Sequence, residues 1–132
     1  MTEEEFSAWL DAYGRAWERQ DPAAAAAIFA ENGTYAWGPF NEPIRGREAI
    51  RTAWENATRG QQDDIRFGYE VLAITEGRGI ARWWASMKAR PAGTPVRMEG
   101  IFLVSLTREG LCEDFREWWN EDPVATGASE YR

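Results

Sequence analysis

The spacing of apolar residues along this chain changes once, near Asp64, and this change limits the fold more than any other feature. Before it, apolar side chains recur every three or four residues, as at Phe6 and Leu10. After it, apolar residues such as Ile65 and Phe67 alternate with polar ones. The first spacing is that of an amphipathic helix and the second is that of a β-strand. The sequence therefore predicts helices first and strands after them.

End signals predict two helices near the N-terminus. Thr2 and Glu5 form a T-x-x-E capping box, so the first helix should cover about residues 3–19. In the Asp-Pro pair at 21–22, the aspartate can cap a second helix and the proline can occupy its first position. We expect this second helix to run through a series of alanines and to end at Gly33.

The remaining elements follow from the same signals. We expect a short strand at 34–37 and a third helix from Gly46 to about Gly60. A strand that starts near Asp64 should be followed by three more, joined by hairpin-like turns, over about residues 79–90, 95–107 and 110–120. Helices followed by an antiparallel meander indicate an α+β fold with the helices on one face of the sheet. The length fits a single domain over residues 1–132.

The charge balance indicates which partners to exclude. The chain carries 15 basic and 22 acidic residues, a net charge of −7, and no basic run. Nucleic acids and anionic membranes attract the opposite pattern, so we expect neither as a partner. No apolar run approaches the ~20 residues that span a bilayer, and the acidic N-terminus lacks the order of a signal peptide. We therefore expect a cytoplasmic protein.

Residue types that the chain lacks or nearly lacks limit its chemistry. The sequence has no histidine and a single cysteine, Cys112. This excludes nucleophile–histidine catalysis, histidine-ligated metals, an internal disulfide and a thiolate zinc site. Any acid–base chemistry must come from groups such as Asp, Glu and Tyr, and we expect neither a metal nor a cofactor.

Tryptophan is unusually frequent, with eight residues beside six Phe and four Tyr. Indole rings are large and carry one N–H, so they favour pocket walls and interfaces. We expect some of these rings to line a cavity or a dimer surface.

Several stretches, in this order, resemble the nuclear-transport-factor-2-like superfamily and, within it, the SnoaL-like proteins. They are Tyr13 and Trp17 before Asp21, the segments AAIFAENGTYAW and PIRGREAIRTAW, and the closing FREWWN. The resemblance implies a cone, in which a strongly curved, mostly antiparallel sheet wraps a long helix around a deep apolar pocket. It also implies a homodimer formed through the outer sheet face. Family members include isomerases, dehydratases, epoxide hydrolases, polyketide cyclases and non-catalytic binding proteins, so the fold does not assign a function.

Strand alternation divides the closing stretch CEDFREWWN into two faces. One face holds Glu113, Phe115, Glu117 and Trp119, and the other holds Cys112, Asp114, Arg116, Trp118 and Asn120. In the resembling proteins the position of Glu117 tends to face the cone, so we assign its face to the pocket. The other face is then external, with Cys112 as a small filler and Trp118 in a dimer surface. The converse assignment, with the second face inside, stays open at this point.

The resembling epoxide hydrolases imply two site residues. Their closing-strand carboxylate activates water and a tyrosine holds that water, and these positions correspond to Glu117 and Tyr35. Their arginine and second acid correspond to Trp83 and Ala85, so the full triad is absent. The neighbouring amide position corresponds to Trp37 and does not match either.

The resembling ketosteroid isomerases imply a third site residue. Their oxyanion-hole tyrosine corresponds to Tyr13, whereas their base and their protonated acid correspond to Gly38 and Phe102 and are absent. Isomerisation by their route is therefore not expected, and dehydratases that depend on histidine are excluded.

The predicted site combines one acid with phenols and flat apolar walls. A carboxyl group among aromatic rings is poorly solvated, so its pKa should rise and it can act as a general acid or base. We predict that Glu117 has this role and that Tyr13 and Tyr35 orient substrate or water as donors. The predicted substrate-binding residues are aromatic: Trp17, Trp37, Trp54, Phe67, Tyr69, Trp83, Phe102 and Phe115.

Two kinds of function fit these residues. The first is a cofactor-independent acid–base enzyme, of isomerase, cyclase, dehydratase or hydrolase type, acting on a small cyclic or aromatic compound. The second is a non-catalytic carrier of an apolar molecule or a dimeric interaction domain, in which Glu117 pairs with Arg82 or Arg97. Whether the protein is an enzyme depends on whether this carboxylate is paired.

Overall fold

Three helices and a six-stranded sheet form the computed structural model, which describes residues 1–123. The helices are α1 (Glu3–Glu18), α2 (Pro22–Ala27) and α3 (Arg47–Ala57). The strands are β1 (Phe29–Ala36), β2 (Ile44–Arg45), β3 (Gln62–Thr75), β4 (Arg78–Ala89), β5 (Thr94–Leu106) and β6 (Cys112–Glu121).

The strands form one curved, unclosed sheet with the order β2-β1-β6-β5-β4-β3. β1 and β6 run parallel, and every other neighbouring pair is antiparallel. The hairpins β3–β4 and β4–β5 and the connection from β5 to β6 form the meander that the period of two predicts. The predicted α+β fold, with helices on a curved and mostly antiparallel sheet, is confirmed.

The helix α1 lies against the sheet through one apolar face. Its N-terminus has the predicted capping box, in which the Thr2 and Glu5 side chains bond each other's backbone N–H. A Cβ atom at Gly14 would lie 2.6 Å from a ring carbon of Phe67, so the glycine permits close contact between α1 and β3. No helix among the described residues is long and apolar enough to cross a membrane.

The second helix is shorter than predicted. It ends at Ala27, and β1 begins at Phe29, well before the predicted end at Gly33. Phe29 is paired with Cys112 in the parallel ladder between β1 and β6. Tertiary pairing therefore replaces the last turn that the local sequence favours. The two-residue strand β2 has no counterpart in the prediction.

A bulge in β6 changes which residues face the core. Leu106 is opposite Cys112 and Ser105 is opposite Asp114, so Glu113 is an extra residue in the ladder. Cys112 is consequently fully buried and Glu113 is exposed, and the predicted sides of these two residues are wrong. Beyond the bulge the predicted alternation holds, because Phe115 and Glu117 face inward.

Candidate functional site

A cavity of about 230 Å³ lies among α1, α3 and the inner face of the sheet. Most of its walls are aromatic or aliphatic, and its acidic group is Glu117. The lining residues are Tyr13, Trp17, Tyr35, Trp37, Ile44, Ala53, Trp54, Ala57, Thr58, Gln62, Trp83, Met98, Glu117 and Trp119. α1 contributes two rings one helical turn apart, α3 contributes one wall, and alternate residues of the strands supply the rest.

Glu117 is a carboxylic acid in an apolar setting. Only 9% of the residue is exposed. Its opposite neighbour on β5 is Phe102, which is fully buried. Burial raises the pKa of Glu117 to about 8, and a weaker opposing effect comes from the Tyr35 hydroxyl. Glu117 is therefore largely protonated at neutral pH, as a general acid or a proton shuttle requires.

Neither arginine that could have neutralised Glu117 contacts it. Arg82 pairs with Glu99 and Glu70 on the outer face of the sheet. Arg97 pairs with Asp122. No salt bridge to Glu117 exists among the described residues, and no hydrogen bond of standard geometry reaches it there. The carboxyl group thus has no ion-pair partner within the described part of the chain, and the polar group that acts on it is the Tyr35 hydroxyl.

Tyr13 and Tyr35 bring two hydroxyl groups together beside this carboxyl. Their oxygens are 3.4 Å apart. Both side chains stack on the ring of Phe115, with centroid distances of 5.5 Å for Tyr13 and 4.6 Å for Tyr35. Burial, followed by neighbouring acidic groups, holds the pKa of both phenols well above the usual value. Both therefore remain neutral and can donate hydrogen bonds.

The Tyr35 hydroxyl lies at the centre of these polar groups. It lowers the pKa of Glu117, which indicates an interaction with the ionised carboxylate. The indole N–H of Trp54 is also close enough to lower the pKa of Tyr35, although it makes no hydrogen bond of standard geometry. The buried Trp54 N–H has no hydrogen-bond partner among the described residues.

The structure brings seven of the predicted site residues to the cavity. These are the three proposed catalytic residues and four tryptophans: Glu117, Tyr13, Tyr35, Trp17, Trp37, Trp54 and Trp83. Trp37 is half-exposed, and its carbonyl accepts a hydrogen bond of 3.3 Å from Trp119 Nε1. These two residues form the outer part of the wall.

Four predicted lining residues lie elsewhere, which corrects the expectation for them. Phe102 and Phe115 are fully buried and form the core beneath the two tyrosines. Phe67 lies between α1 and Trp83 and does not line the cavity. The hydroxyl of Tyr69 bonds Asp11 at 2.7 Å, so this ring covers a different side of α1. Alternation alone could not separate a ring that lines a cavity from one that fills the core.

The sequence did not predict six of the lining residues, of which Gln62 is the most polar. Gln62 is the first residue of β3, and its side-chain oxygen accepts a hydrogen bond of 2.9 Å from Trp17 Nε1. Its signal was weak, because it precedes the period-two pattern. The other missed residues are Ile44, Ala53, Ala57, Thr58 and Met98. Trp119, on the face of β6 assigned to the pocket, does line the cavity.

The described residues contain no cluster of metal-ligand side chains. No group of three or more carboxylate or thiol side chains converges among them to hold an ion. The groups that line the cavity can form hydrogen bonds, transfer a proton and contact a ligand through aromatic faces.

The family model of the SnoaL-like domain matches residues 10–125 of this chain. The chain belongs to the SnoaL-like family. No curated protein sequence matches this SnoaL-like protein significantly.

Solved structures resemble the SnoaL-like protein over most of its length. An epoxide hydrolase/cyclase-like enzyme, SalBIII, described in pyran ring formation in the polyether salinomycin, shares 21% identity with a TM-score of 0.76, over 91% of this chain and 95% of the other. Rv0760c from Mycobacterium tuberculosis shares 16% identity with a TM-score of 0.74, over 91% and 94% of the two chains.

A third similar structure contains a small ligand. It is a hypothetical protein with a ketosteroid isomerase-like fold from Catenulispora acidiphila, solved in complex with trimethylamine. It shares 20% identity with a TM-score of 0.72, over 83% of both chains. At these identities the three likenesses establish the fold, which is the nuclear-transport-factor-2-like cone.

Proposed function

We propose that this SnoaL-like protein is a cofactor-independent acid–base enzyme that acts on a small cyclic or aromatic compound. The observation that carries the proposal is Glu117, a buried carboxylic acid that lines an aromatic cavity and has no arginine partner among the described residues. A merely structural carboxylate is usually exposed or paired, because an isolated buried charge is costly.

The geometry supports complementary roles for three residues. Protonated Glu117 donates a proton to an oxygen or carbon of the substrate, and the resulting carboxylate can take a proton back from a second position. Tyr13 and Tyr35, which stay neutral, donate hydrogen bonds to a substrate oxygen and stabilise the negative charge that it gains when the Glu117 carboxylate removes a proton. A positioned acid or base contributes about 10²–10⁴ in rate, and confinement between aromatic walls must supply the rest.

The size of the cavity supports a small substrate. Its volume of about 230 Å³ lies below the range of roughly 300–1,000 Å³ that is typical of sites for drug-sized ligands. The cyclase-like description of SalBIII also supports ring-forming or ring-opening chemistry, in which protonation of an oxygen assists bond formation or cleavage at carbon.

The test is proton transfer in a small probe, the isomerisation of cyclohex-3-enone to cyclohex-2-enone, followed by ultraviolet absorbance. The wild-type protein should accelerate it, and Glu117→Gln should lose that acceleration while it still binds the product. Glu113→Gln is the matched control, because this acid is exposed on the same strand. Unchanged acceleration in Glu117→Gln would remove the proposed role.

A second candidate function is the non-catalytic capture of a small alkylammonium ion. Five tryptophans line the cavity with one carboxyl group, and no arginine or lysine is among its described lining residues. Aromatic faces attract such cations, and a carboxylate completes the site. The Catenulispora acidiphila protein in complex with trimethylamine supports this candidate.

Choline and its neutral isostere 3,3-dimethylbutan-1-ol distinguish the two candidates. A cation site should bind choline more tightly than the alcohol. The preference should increase as the pH rises through about 8, because the cation binds ionised Glu117. If Glu117 is a general acid, the catalytic rate should instead fall as the pH rises through about 8, because the protonated form that donates is lost. Equal affinity for both probes would exclude the cation site.

A further inference from the structure

The amide of Gln62 is held in one orientation. Its oxygen accepts the hydrogen bond from Trp17 Nε1, and an indole N–H can only donate, so the oxygen must face Trp17. The amide nitrogen consequently points away from this indole. It makes no hydrogen bond to any described residue.

The backbone of Gln62 is anchored as well. Its carbonyl accepts a hydrogen bond of 2.6 Å from the Gln20 side chain, and its backbone lies opposite Ala89 in the β3–β4 ladder. The Gln62 side chain is thus fixed at both ends, by the ladder and by Trp17. A donor with this restraint loses little side-chain entropy when it binds a ligand.

Gln62 and Glu117 act at different points along the cavity. Gln62 contacts Trp17, whereas the charge of Glu117 acts on Tyr13. These two α1 residues are four positions apart, which corresponds to one helical turn, or about 6 Å along the axis. The aromatic walls therefore separate a donor that is available to a ligand from the acid.

We propose that Gln62 orients the ligand by donating a hydrogen bond from its amide to a carbonyl, ether or hydroxyl oxygen. The favoured ligand is then a small cyclic or aromatic compound whose acceptor oxygen is separate from the atom presented to Glu117. This inference rests on the proposed function only in taking this cavity as the ligand-binding site. It assigns Gln62 a positioning role.

Two isosteric probes test the donor. Cyclohexanone carries an acceptor oxygen where methylenecyclohexane carries a CH₂ group, and their affinities can be compared by titration calorimetry. One neutral hydrogen bond should make the ketone preference, meaning the ratio of ketone affinity to alkene affinity, about fivefold higher in the wild-type protein than in a variant without the donor. Gln62→Glu keeps the acceptor for Trp17 but removes the amide donor, so this ratio should fall about fivefold.

Two further variants make the comparison specific. Gln61→Glu places the same change at the adjacent, exposed residue and should leave the ketone preference intact. Gln62→Met is similar in length but uncharged, so it should lose the preference without the added charge of Gln62→Glu. An affinity ratio that is the same in the wild-type protein and in both Gln62 variants overturns the proposal.

These outcomes are independent of the catalytic proposal. Loss of the preference in Gln62→Glu, together with full activity in Glu117→Gln, would leave a ligand-orienting residue in a cavity where Glu117 is not the acid. A preserved preference, together with an inactive Glu117→Gln variant, would leave the acid in place and remove the role of Gln62.

Discussion

The protonated state of Glu117 has a consequence for stability that can be measured without a substrate. Its pKa rises from an ordinary 4.5 to about 8 in the folded protein because the group is buried. Below about pH 4.5 both the folded and the unfolded chain hold the proton. Between the two values only the folded chain holds it, so the unfolded state binds fewer protons and stability falls as the pH rises.

The expected loss is large. The difference between the two pKa values of Glu117 corresponds to about 5 kcal/mol at roughly 1.4 kcal/mol per pKa unit. Small domains are stable by about 5–15 kcal/mol, so this term is a substantial fraction of the total. Above about pH 8 both states have lost the proton and the contribution of Glu117 becomes constant.

The amino-acid composition makes the stability change between about pH 4.5 and pH 8 easier to assign to Glu117. The chain contains no histidine, so the side chain that ordinarily titrates between pH 5 and 8 is missing. The lowered pKa values of Asp63 and Glu5 act in the opposite sense and at lower pH, since they reduce stability only as those carboxylates become protonated.

The assay is urea unfolding, followed by tryptophan fluorescence in steps from pH 5 to pH 9 at constant protein concentration. The wild-type free energy of unfolding should fall by about 1.4 kcal/mol per pH unit up to about pH 8 and much less steeply above it, where the raised thiol pKa of buried Cys112 still favours unfolding. Glu117→Gln imitates the neutral acid and should show an almost flat profile, so it should be the more stable protein at pH 8. Parallel profiles for the two proteins would refute the burial of a protonated Glu117.

Three further predictions concern neighbouring features. Tyr35→Phe should move the midpoint of the wild-type stability profile to higher pH, because the Tyr35 hydroxyl lowers the pKa of Glu117; an unchanged midpoint would contradict that interaction. Cys112 should resist alkylation by iodoacetamide until the protein unfolds, because it is fully buried and burial raises its thiol pKa; rapid labelling of the native protein would contradict this. The homodimer stays a prediction: Trp118 is exposed opposite Ile101 on the outer sheet face, and sedimentation should give twice the chain mass of 15.1 kDa, whereas a monomer would oppose it.

The fold could be predicted largely because its signals are local. The capping box at Thr2 and the Asp-Pro pair at 21–22 start helices where predicted, and the period of two identifies every long strand of the meander. The errors occur where distant residues decide. β1 begins at Phe29 because of its partner Cys112 on β6, and neither propensity nor periodicity describes a pairing between residues so far apart in sequence.

The acid and the two tyrosines of the cavity could be predicted from the sequence, whereas the full set of residues that line it could not. Glu117, Tyr13 and Tyr35 do converge at one cavity, as the resemblance implied. Inward orientation, however, does not distinguish the cavity from the core. Phe115 faces inward like Glu117, yet it fills the space between the two tyrosine rings. That distinction depends on depth within the cone, which a single sequence does not encode.

Whether Glu117 is paired follows from strand register. Its opposite residue on β5 is Phe102, and Phe102 is opposite Ala81 on β4, so the inward row across three strands offers it apolar neighbours. Arg82 follows Ala81 and therefore points to the other face, where it meets Glu99. A one-residue slip of β4 that put Arg82 opposite Phe102 would turn an arginine to the inner face, two strands from the carboxylate, and offer Glu117 a candidate ion-pair partner. The availability of this acid is thus a property of the register of the sheet, and it is specified by the same alternation that buries the core.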